Sequence, residues 1–365
     1  MRDITTQKTK MSSSAKRARL DDAAASAVPV PVAVAAPATI EFASMTRADM
    51  LASLKRDGYV VVRGVASREQ AAHLHDLLWR DLELLAPGLR RADKTTWTPK
   101  NRPEHAGGLI QHYGVGWWES CVRARALMSP VFATIWGVDV RDLWTSFDGV
   151  SITRKPAQGR CAFKDVEDWS ARALRDNRLH VDQTVAGFKC VQGGLALCDQ
   201  PIEGHVFVCV PGSHLVHTDL MARGPTKKTP GWETMTPAQL DFLEARGFQP
   251  VRVALSAGDA VYWDSRTVHN SGPYTAAAAA DSERAQIFAC MTPSPPSGPL
   301  RDTQMAKRRA YHADRRTSKH SPWPVRVFGK KPRSYGGGSG GPEMHPENVP
   351  RFELDADARK LHGLE

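Results

Sequence analysis

The stretch from Arg178 to Thr184 constrains this chain most, because it places two metal-binding side chains inside an alternating apolar and polar pattern. Such alternation is typical of a β-strand, on which residues two apart point to the same face. His180 and Asp182 would then offer an imidazole nitrogen and a carboxylate oxygen to one point in space. These two residues would form two thirds of a 2-His-1-carboxylate facial triad. Such a triad holds non-haem Fe(II) and leaves other coordination positions of the metal open.

A candidate for the second histidine stands further along the chain. The segment from Gly258 to Pro273 has a turn and an apolar strand, and His269 comes at the strand end before a Gly/Pro break. After a loop, an apolar strand begins at Arg284. The chain therefore supplies His, Asp, a distant His and a strand-borne Arg in that order.

With these residues the sequence resembles the phytanoyl-CoA dioxygenase family of Fe(II)/2-oxoglutarate oxygenases, over roughly residues 45 to 295. The matching pieces are Asp57 to Val65, His180 to Asp182, Val210 to His214, Gly258 to His269 and the strand at Arg284. The resemblance implies an α+β fold that is mainly β, a double-stranded β-helix (jelly-roll, cupin-like) core with flanking helices. Such an architecture brings distant strands together, so residues 180 and 269 can meet.

The same resemblance assigns roles to individual residues. It implies Fe(II) held by His180, Asp182 and His269, and 2-oxoglutarate as co-substrate. Arg284 is the candidate cation for the far carboxylate of 2-oxoglutarate, because a guanidinium offers a bidentate fork. Gln192 follows on the next strand and lines the same pocket if the strand register turns it inward. The structural alternative is that each of these polar residues makes its own hydrogen bonds within the protein and shares no ligand with the others, and that Arg284 faces solvent.

The aspartate in the motif bears on the type of reaction. A halogenase of this class must free an iron position for halide, so Asp182 favours hydroxylation, with release of succinate and CO2. A small molecule is the expected substrate, and a protein or nucleic acid is the alternative. His214, in the turn from Pro211 to His214, is interpreted as structural because the family pattern has no ligand there.

Three regions are predicted along the 365 residues. Residues 1–44 are expected to be a disordered arm, residues 45–295 the oxygenase domain with an insertion at 218–248, and residues 296–365 a basic, Pro/Gly-rich tail. Helices are predicted after the capping residues Thr46 and Ser67, and over 118–136 with a break at Pro130.

The formal net charge of +10 is concentrated near the C-terminus, where basic residues cluster between Arg301 and Arg333. Such a cluster is usually solvated, but it can also bind phosphate. A second hypothesis is therefore a non-catalytic jelly-roll module that binds nucleic acid or chromatin through its tail. The cluster from Lys16 to Arg19 resembles a nuclear import signal, so the nucleus is an alternative to a cytoplasmic location.

The six cysteines include no C-x-x-C pair, which favours reduced thiols in an intracellular protein. No apolar run reaches the roughly 18 residues of a membrane helix, so no membrane association is expected. The sequence carries no indication of an oligomeric state.

Overall fold

Two β-sheets face each other in the computed structural model, which describes residues 39–98, 101–103, 108–155, 179–225, 231–329 and 349–365. In chain order the strands are β1 (Thr39–Glu41), β2 (Tyr59–Arg63), β3 (Leu109–Ile110), β4 (Leu143–Thr145), β5 (Val150–Arg154), β6 (His180–Val181), β7 (Val191–Ala196), β8 (Phe207–Cys209), β9 (Glu233–Thr234), β10 (Val251–Val253), β11 (Ala260–Asp264), β12 (His269–Ser271) and β13 (Glu283–Pro293). The larger sheet has the order β1-β2-β11-β7-β13-β5-β3, with β4 also on β13, and the smaller has β10-β8-β12-β6-β9. Apart from the parallel pair of β1 and β2, the pairings are antiparallel.

The helices lie outside these sheets. They are α1 (Arg47–Asp57), α2 (Arg68–Leu85), α3 (Glu119–Trp136), α4 (His217–Met221), α5 (Pro237–Glu244), α6 (Pro299–Ala313) and α7 (Ala356–Leu361). The predicted caps of the first two are confirmed: Thr46 accepts from the Asp49 amide and Ser67 forms a capping box with Gln70.

The predicted break of the third helix at Pro130 is wrong, because α3 continues through this residue. A proline removes the amide that would donate to the carbonyl four residues earlier. Here the hydroxyl of Ser129 donates to that carbonyl of Ala126 at 2.8 Å. The carbonyl is satisfied by a side chain, so the helix needs no break.

Strand alternation decides which residues face the space between the sheets. On β2, Val60 and Val62 pack outward against the helices, whereas Tyr59 and Val61 belong to an inner cluster with Phe207 of the opposite sheet. This is the period of two that a strand imposes. The predicted fold class, a mainly β double-stranded β-helix with flanking helices, is confirmed.

The described residues of the predicted insertion at 218–248 cover the outer face of the smaller sheet. Its apolar side chains, among them Leu220, Leu240 and Leu243, pack against Val181 and Val268. In addition, β9 pairs with β6, the strand on which the His-x-Asp motif begins. The insertion therefore fixes the edge of the strand on which the candidate site is built.

The described residues beyond 296 differ from the solvated tail that the composition predicts. Arg308 on α6 is fully buried and donates to the backbone carbonyls of His362, Pro322 and Thr145, with distances of 2.6 Å to the first two. Because a guanidinium can satisfy several carbonyls at once, a basic sequence is compatible with a buried position.

At the other end of the domain, β1 lies within the predicted N-terminal arm and extends the larger sheet.

The remaining predictions about the chain concern location and thiols. Cys190 and Cys290 are buried free thiols whose sulfurs lie 3.0 Å apart. Within the described ranges, no helix is long and apolar enough to cross a bilayer. The basic cluster at Lys16 to Arg19 lies outside the described residues.

Replacing Arg308 by alanine is expected to lower the free energy of unfolding by about 3 kcal/mol or more, because three carbonyls lose their donor and each unsatisfied buried group costs roughly 1–3 kcal/mol. Urea denaturation followed by circular dichroism measures this loss. The exposed neighbour Lys307 is the control, and its alanine variant is expected to change stability by less than about 0.5 kcal/mol. Equal stability of the two variants would contradict a structural role for Arg308.

Candidate metal centre

Strand pairing brings the three predicted ligands together between the sheets. His180 on β6 lies directly opposite His269 on β12, and Asp182 follows β6 immediately. One ligand atom from each of the three residues lies within 4.8 Å of the others. The side chains of His269 and Asp182 are only 6% and 10% exposed, so the cluster is recessed.

The hydrogen bonding of His269 decides which of its nitrogens faces the cluster. Nδ1 lies 2.8 Å from the carbonyl oxygen of Thr267, and a carbonyl can only accept, so Nδ1 donates. In this tautomer Nε2 presents a lone pair to Oδ2 of Asp182 at 3.2 Å. Two acceptor atoms at this distance repel each other unless a positive species, either a proton or a metal ion, lies between them. The donor set therefore fits a metal ion with His and carboxylate ligands.

Asp182 is held from its backbone and from its side chain. Its amide donates to the carbonyl of Ser265 at 3.0 Å, and its Oδ2 accepts from Nε2 of Gln192 at 2.8 Å. The Gln192 amide also reaches the hydroxyl of Ser265 at 3.2 Å. The structure thus places Gln192 inside the site, beside the carboxylate of the cluster.

A third histidine, His320, also contacts Asp182, although no motif in the sequence singles it out. Nε2 of His320 lies 3.0 Å from the backbone oxygen of Asp182, and Nδ1 lies 3.6 Å from Oδ1. An isolated histidine in a basic, Pro-rich stretch carries no local signal for this role. His320 and Asp182 are 138 positions apart in the sequence, and only the tertiary fold brings them together.

Charge and burial shift the pKa values of this pair in opposite directions. Burial raises the pKa of Asp182. The interactions with His320 and with the two histidines of the cluster lower this pKa by more, so it lies well below its usual range. Burial lowers the pKa of His320, but the neighbouring carboxylates of Asp182 and Asp148 outweigh this effect, so its pKa is raised. The lowered pKa keeps the Asp182 carboxylate ionised, which is the form that binds a cation.

Arg284 is buried between the sheets with no acidic partner among the described residues. It is 1% exposed, its Nε donates to Oε1 of Gln286 at 3.0 Å, and its Nη2 donates to the same oxygen. Nη1 of Arg284 and Nε2 of Gln286 are buried donors without a hydrogen-bond partner in the described parts of the chain. Burial lowers the pKa of Arg284 to about 10.

Polar side chains surround this guanidinium. Thr153 pairs with Arg284 across β5 and β13, so both side chains point to the same face. Its hydroxyl lies 2.7 Å from Nδ1 of His205 and 3.0 Å from the hydroxyl of Tyr274. Burial, together with Arg284 and Arg252, keeps the pKa of His205 well below its usual value, so this histidine is neutral. A positive charge set among neutral polar groups is suited to an anion.

One exposed aromatic side chain marks the open side of the cluster. The ring of Trp232 lies 5.8 Å from the ring of His180 and the residue is 58% exposed. Trp232 precedes β9, so the segment predicted as an insertion delivers it to the site. A ligand that approaches His180 from solvent on this side meets the indole.

Comparison with known proteins places the chain in a family. The family model described as phytanoyl-CoA dioxygenase matches residues 54–280. The chain is 29% identical over 250 residues to Ava biosynthesis cluster protein O of Aspergillus versicolor, covering 65% of this chain and 75% of that protein. GlcNAc Inducible Gene 2 (DUF1479) from Candida albicans is similar with a TM-score of 0.55 at 12% identity, over 90% of this chain and 80% of that one. The epimerase SnoN, solved with Fe3+, alpha ketoglutarate and nogalamycin RO, has a TM-score of 0.43 at 19% identity, over 68% and 84%.

The fold and the recessed His-Asp-His cluster are those of an Fe/2-oxoglutarate-dependent oxygenase. Because the family match covers more than half of the chain, the protein belongs to the phytanoyl-CoA dioxygenase family. The family prediction is confirmed, and the iron and 2-oxoglutarate expected of such an enzyme agree with the cluster. The family match ends before Arg284 and His320, so it gives no support to a role for either residue.

Proposed function

We propose that this protein is a hydroxylase that uses Fe(II) and 2-oxoglutarate to oxidise a small molecule. The observation that supports this most directly is the pair of acceptors, Nε2 of His269 and Oδ2 of Asp182, which face each other at 3.2 Å. A divalent cation bound by these atoms and by His180 satisfies both. Three protein ligands leave positions open for the co-substrate and O2.

When bound, iron and 2-oxoglutarate supply the oxidation, in which 2-oxoglutarate and O2 give succinate, CO2 and one oxygen atom for the substrate. The chain supplies the positions of the reactants. Gln192 holds Oδ2 of Asp182 through its amide, and Trp263 and Phe207 pack at ring-centroid distances of 5.3 and 5.9 Å from His269. These contacts keep the ligands in place and exclude water from one side of the cluster.

The buried guanidinium of Arg284 supports the 2-oxoglutarate part of the proposal. A buried charge without a partner is costly, and a carboxylate ligand removes this cost. Nη1 of Arg284 and Nε2 of Gln286 are the two donors left for it. A dicarboxylate that binds iron at its keto-acid end can place its far carboxylate against this pair.

The recessed cluster also supports a small substrate over a macromolecule. The side chains of His269 and Asp182 are 6% and 10% exposed, and Trp232 offers an indole face beside His180. The alternative, a non-catalytic module that binds nucleic acid through a basic tail, has less support. Basic side chains of that region such as Arg308 and Arg309 donate to backbone carbonyls of the protein itself.

Anaerobic titration of the purified protein with Fe(II) and then 2-oxoglutarate tests the proposal without knowledge of the substrate. We expect a weak visible metal-to-ligand charge-transfer band that saturates at one equivalent of each. Subsequent admission of O2 should release succinate slowly even in the absence of substrate. A folded protein that gives no band and binds no Fe(II) would overturn the assignment as an oxygenase.

A further inference from the structure

The C-terminal hairpin (residues 317–328) is anchored to the segment between β4 and β5 and reaches the metal centre. Its two arms join through a bridge between Ser318 and Val327 and through the Lys319 amide, which donates to Arg326 at 2.8 Å. The amide and hydroxyl of Ser318 both bond to the backbone of Phe147 at 2.9 Å. The hairpin is therefore built into the core and has a defined position relative to the metal centre.

A second anchor holds the far arm. The indole of Trp323 donates to the carbonyl of Pro293 at 2.8 Å, at the end of β13. The amide of Val325 donates to the buried side chain of Gln304 on α6 at 2.9 Å. Between the anchors at Ser318 and Trp323 stands His320, whose ring is directed at Asp182.

The ring of His320 spans the backbone and the side chain of Asp182. Nε2 donates to the backbone carbonyl at 3.0 Å, while Nδ1 lies 3.6 Å from Oδ1, the carboxylate oxygen that Gln192 does not touch. Gln192 and His320 thus approach the two oxygens of one carboxylate. Together they restrict its rotation, which decides whether an oxygen points at Nε2 of His269.

We propose that His320 is a positioning residue for the metal centre, supplied by the C-terminal hairpin from outside the family-matched region. The inference rests on the proposed function, since it concerns the carboxylate that would bind iron. Partners of this kind, which contact a ligand rather than the metal, typically change metal affinity by about 10–100-fold when removed. His320 would not touch substrate or iron itself.

The test is a titration of apo-protein with Co(II), whose visible absorption reports binding and ligand geometry without any turnover. His320→Ala is expected to bind Co(II) about 10–100-fold more weakly than wild type and to show an altered spectrum. His320→Gln, whose amide can still donate to the carbonyl, is expected to regain most of the affinity.

The matched control is His214→Ala. His214 is also buried and its Nε2 also donates to a backbone carbonyl, that of Lys55 at 3.1 Å, but it contacts no member of the metal cluster. Its alanine variant is expected to lose stability and to keep the wild-type Co(II) affinity. If His320→Ala does not fold by circular dichroism, His320→Phe, which fills the volume without a donor, takes its place.

Wild-type affinity in the His320 variant would overturn the inference. So would an equal loss of affinity in the His214 variant, because the effect would then be general destabilisation. Failure of the proposed function gives a different result, since the wild-type protein itself would then bind no Co(II).

Discussion

Replacing Asp182 by alanine is expected to abolish the charge-transfer band and the uncoupled release of succinate. The change removes the anionic ligand and leaves two neutral imidazoles to hold a divalent cation. The affinity for Fe(II) should fall by more than the roughly 100-fold that marks the loss of an outer partner. Anaerobic titration with Fe(II) measures the affinity directly.

Asp81→Asn is the control for this experiment. Asp81 is a buried aspartate on α2 that pairs with Arg80 and lies outside the cluster. Its asparagine variant should bind Fe(II) as the wild type does. Retention of the band in the Asp182 variant would show that other residues hold the iron, and the assignment of the triad would be wrong.

Replacing Arg284 by alanine is expected to weaken 2-oxoglutarate binding while leaving Fe(II) binding intact. Truncating one partner of a buried, hydrogen-bonded charge pair costs roughly 2–5 kcal/mol. At about 1.4 kcal/mol for each factor of ten, the dissociation constant should rise at least about 30-fold. Titration of 2-oxoglutarate into the Fe(II)-loaded variant measures the rise, and Arg284→Lys should recover only part of the affinity, because an ammonium lacks the guanidinium fork.

Arg308→Ala provides the contrast with Arg284→Ala, because both arginines are fully buried. Arg308 is paired with carbonyls of the chain, whereas Arg284 has Nη1 left for a ligand. The Arg284 variant should therefore lose less stability than the Arg308 variant in the absence of 2-oxoglutarate. A large loss of stability with unchanged 2-oxoglutarate affinity would make Arg284 a structural residue.

The sequence determined the local part of the candidate site. His180 and Asp182 share a strand face, and a period of two is a property of any extended chain, so their proximity needed no knowledge of the fold. The capping residues Thr46 and Ser67 were also predictable from local sequence, because a cap bonds to a backbone amide only three residues away. The assignment of His269 needed the family resemblance as well, because no local rule joins residues 180 and 269.

Other features were decided only by the tertiary structure. The register of β7 directs Gln192 to Asp182, and the partner of a strand is not contained in its own sequence. The composition of the segment that contains the hairpin and His320 predicts a solvated tail. The burial of Arg308 in this segment was not predictable, because it depends on backbone carbonyls of Pro322 and Thr145 that only the folded chain brings to it. Short-range physics, which acts within a few residues, thus determined the strand motif and the caps from the sequence. Contacts between different strands and segments depended on the packing of the two sheets, whether the partners are 10 residues apart, as Gln192 and Asp182 are, or 138, as His320 and Asp182 are.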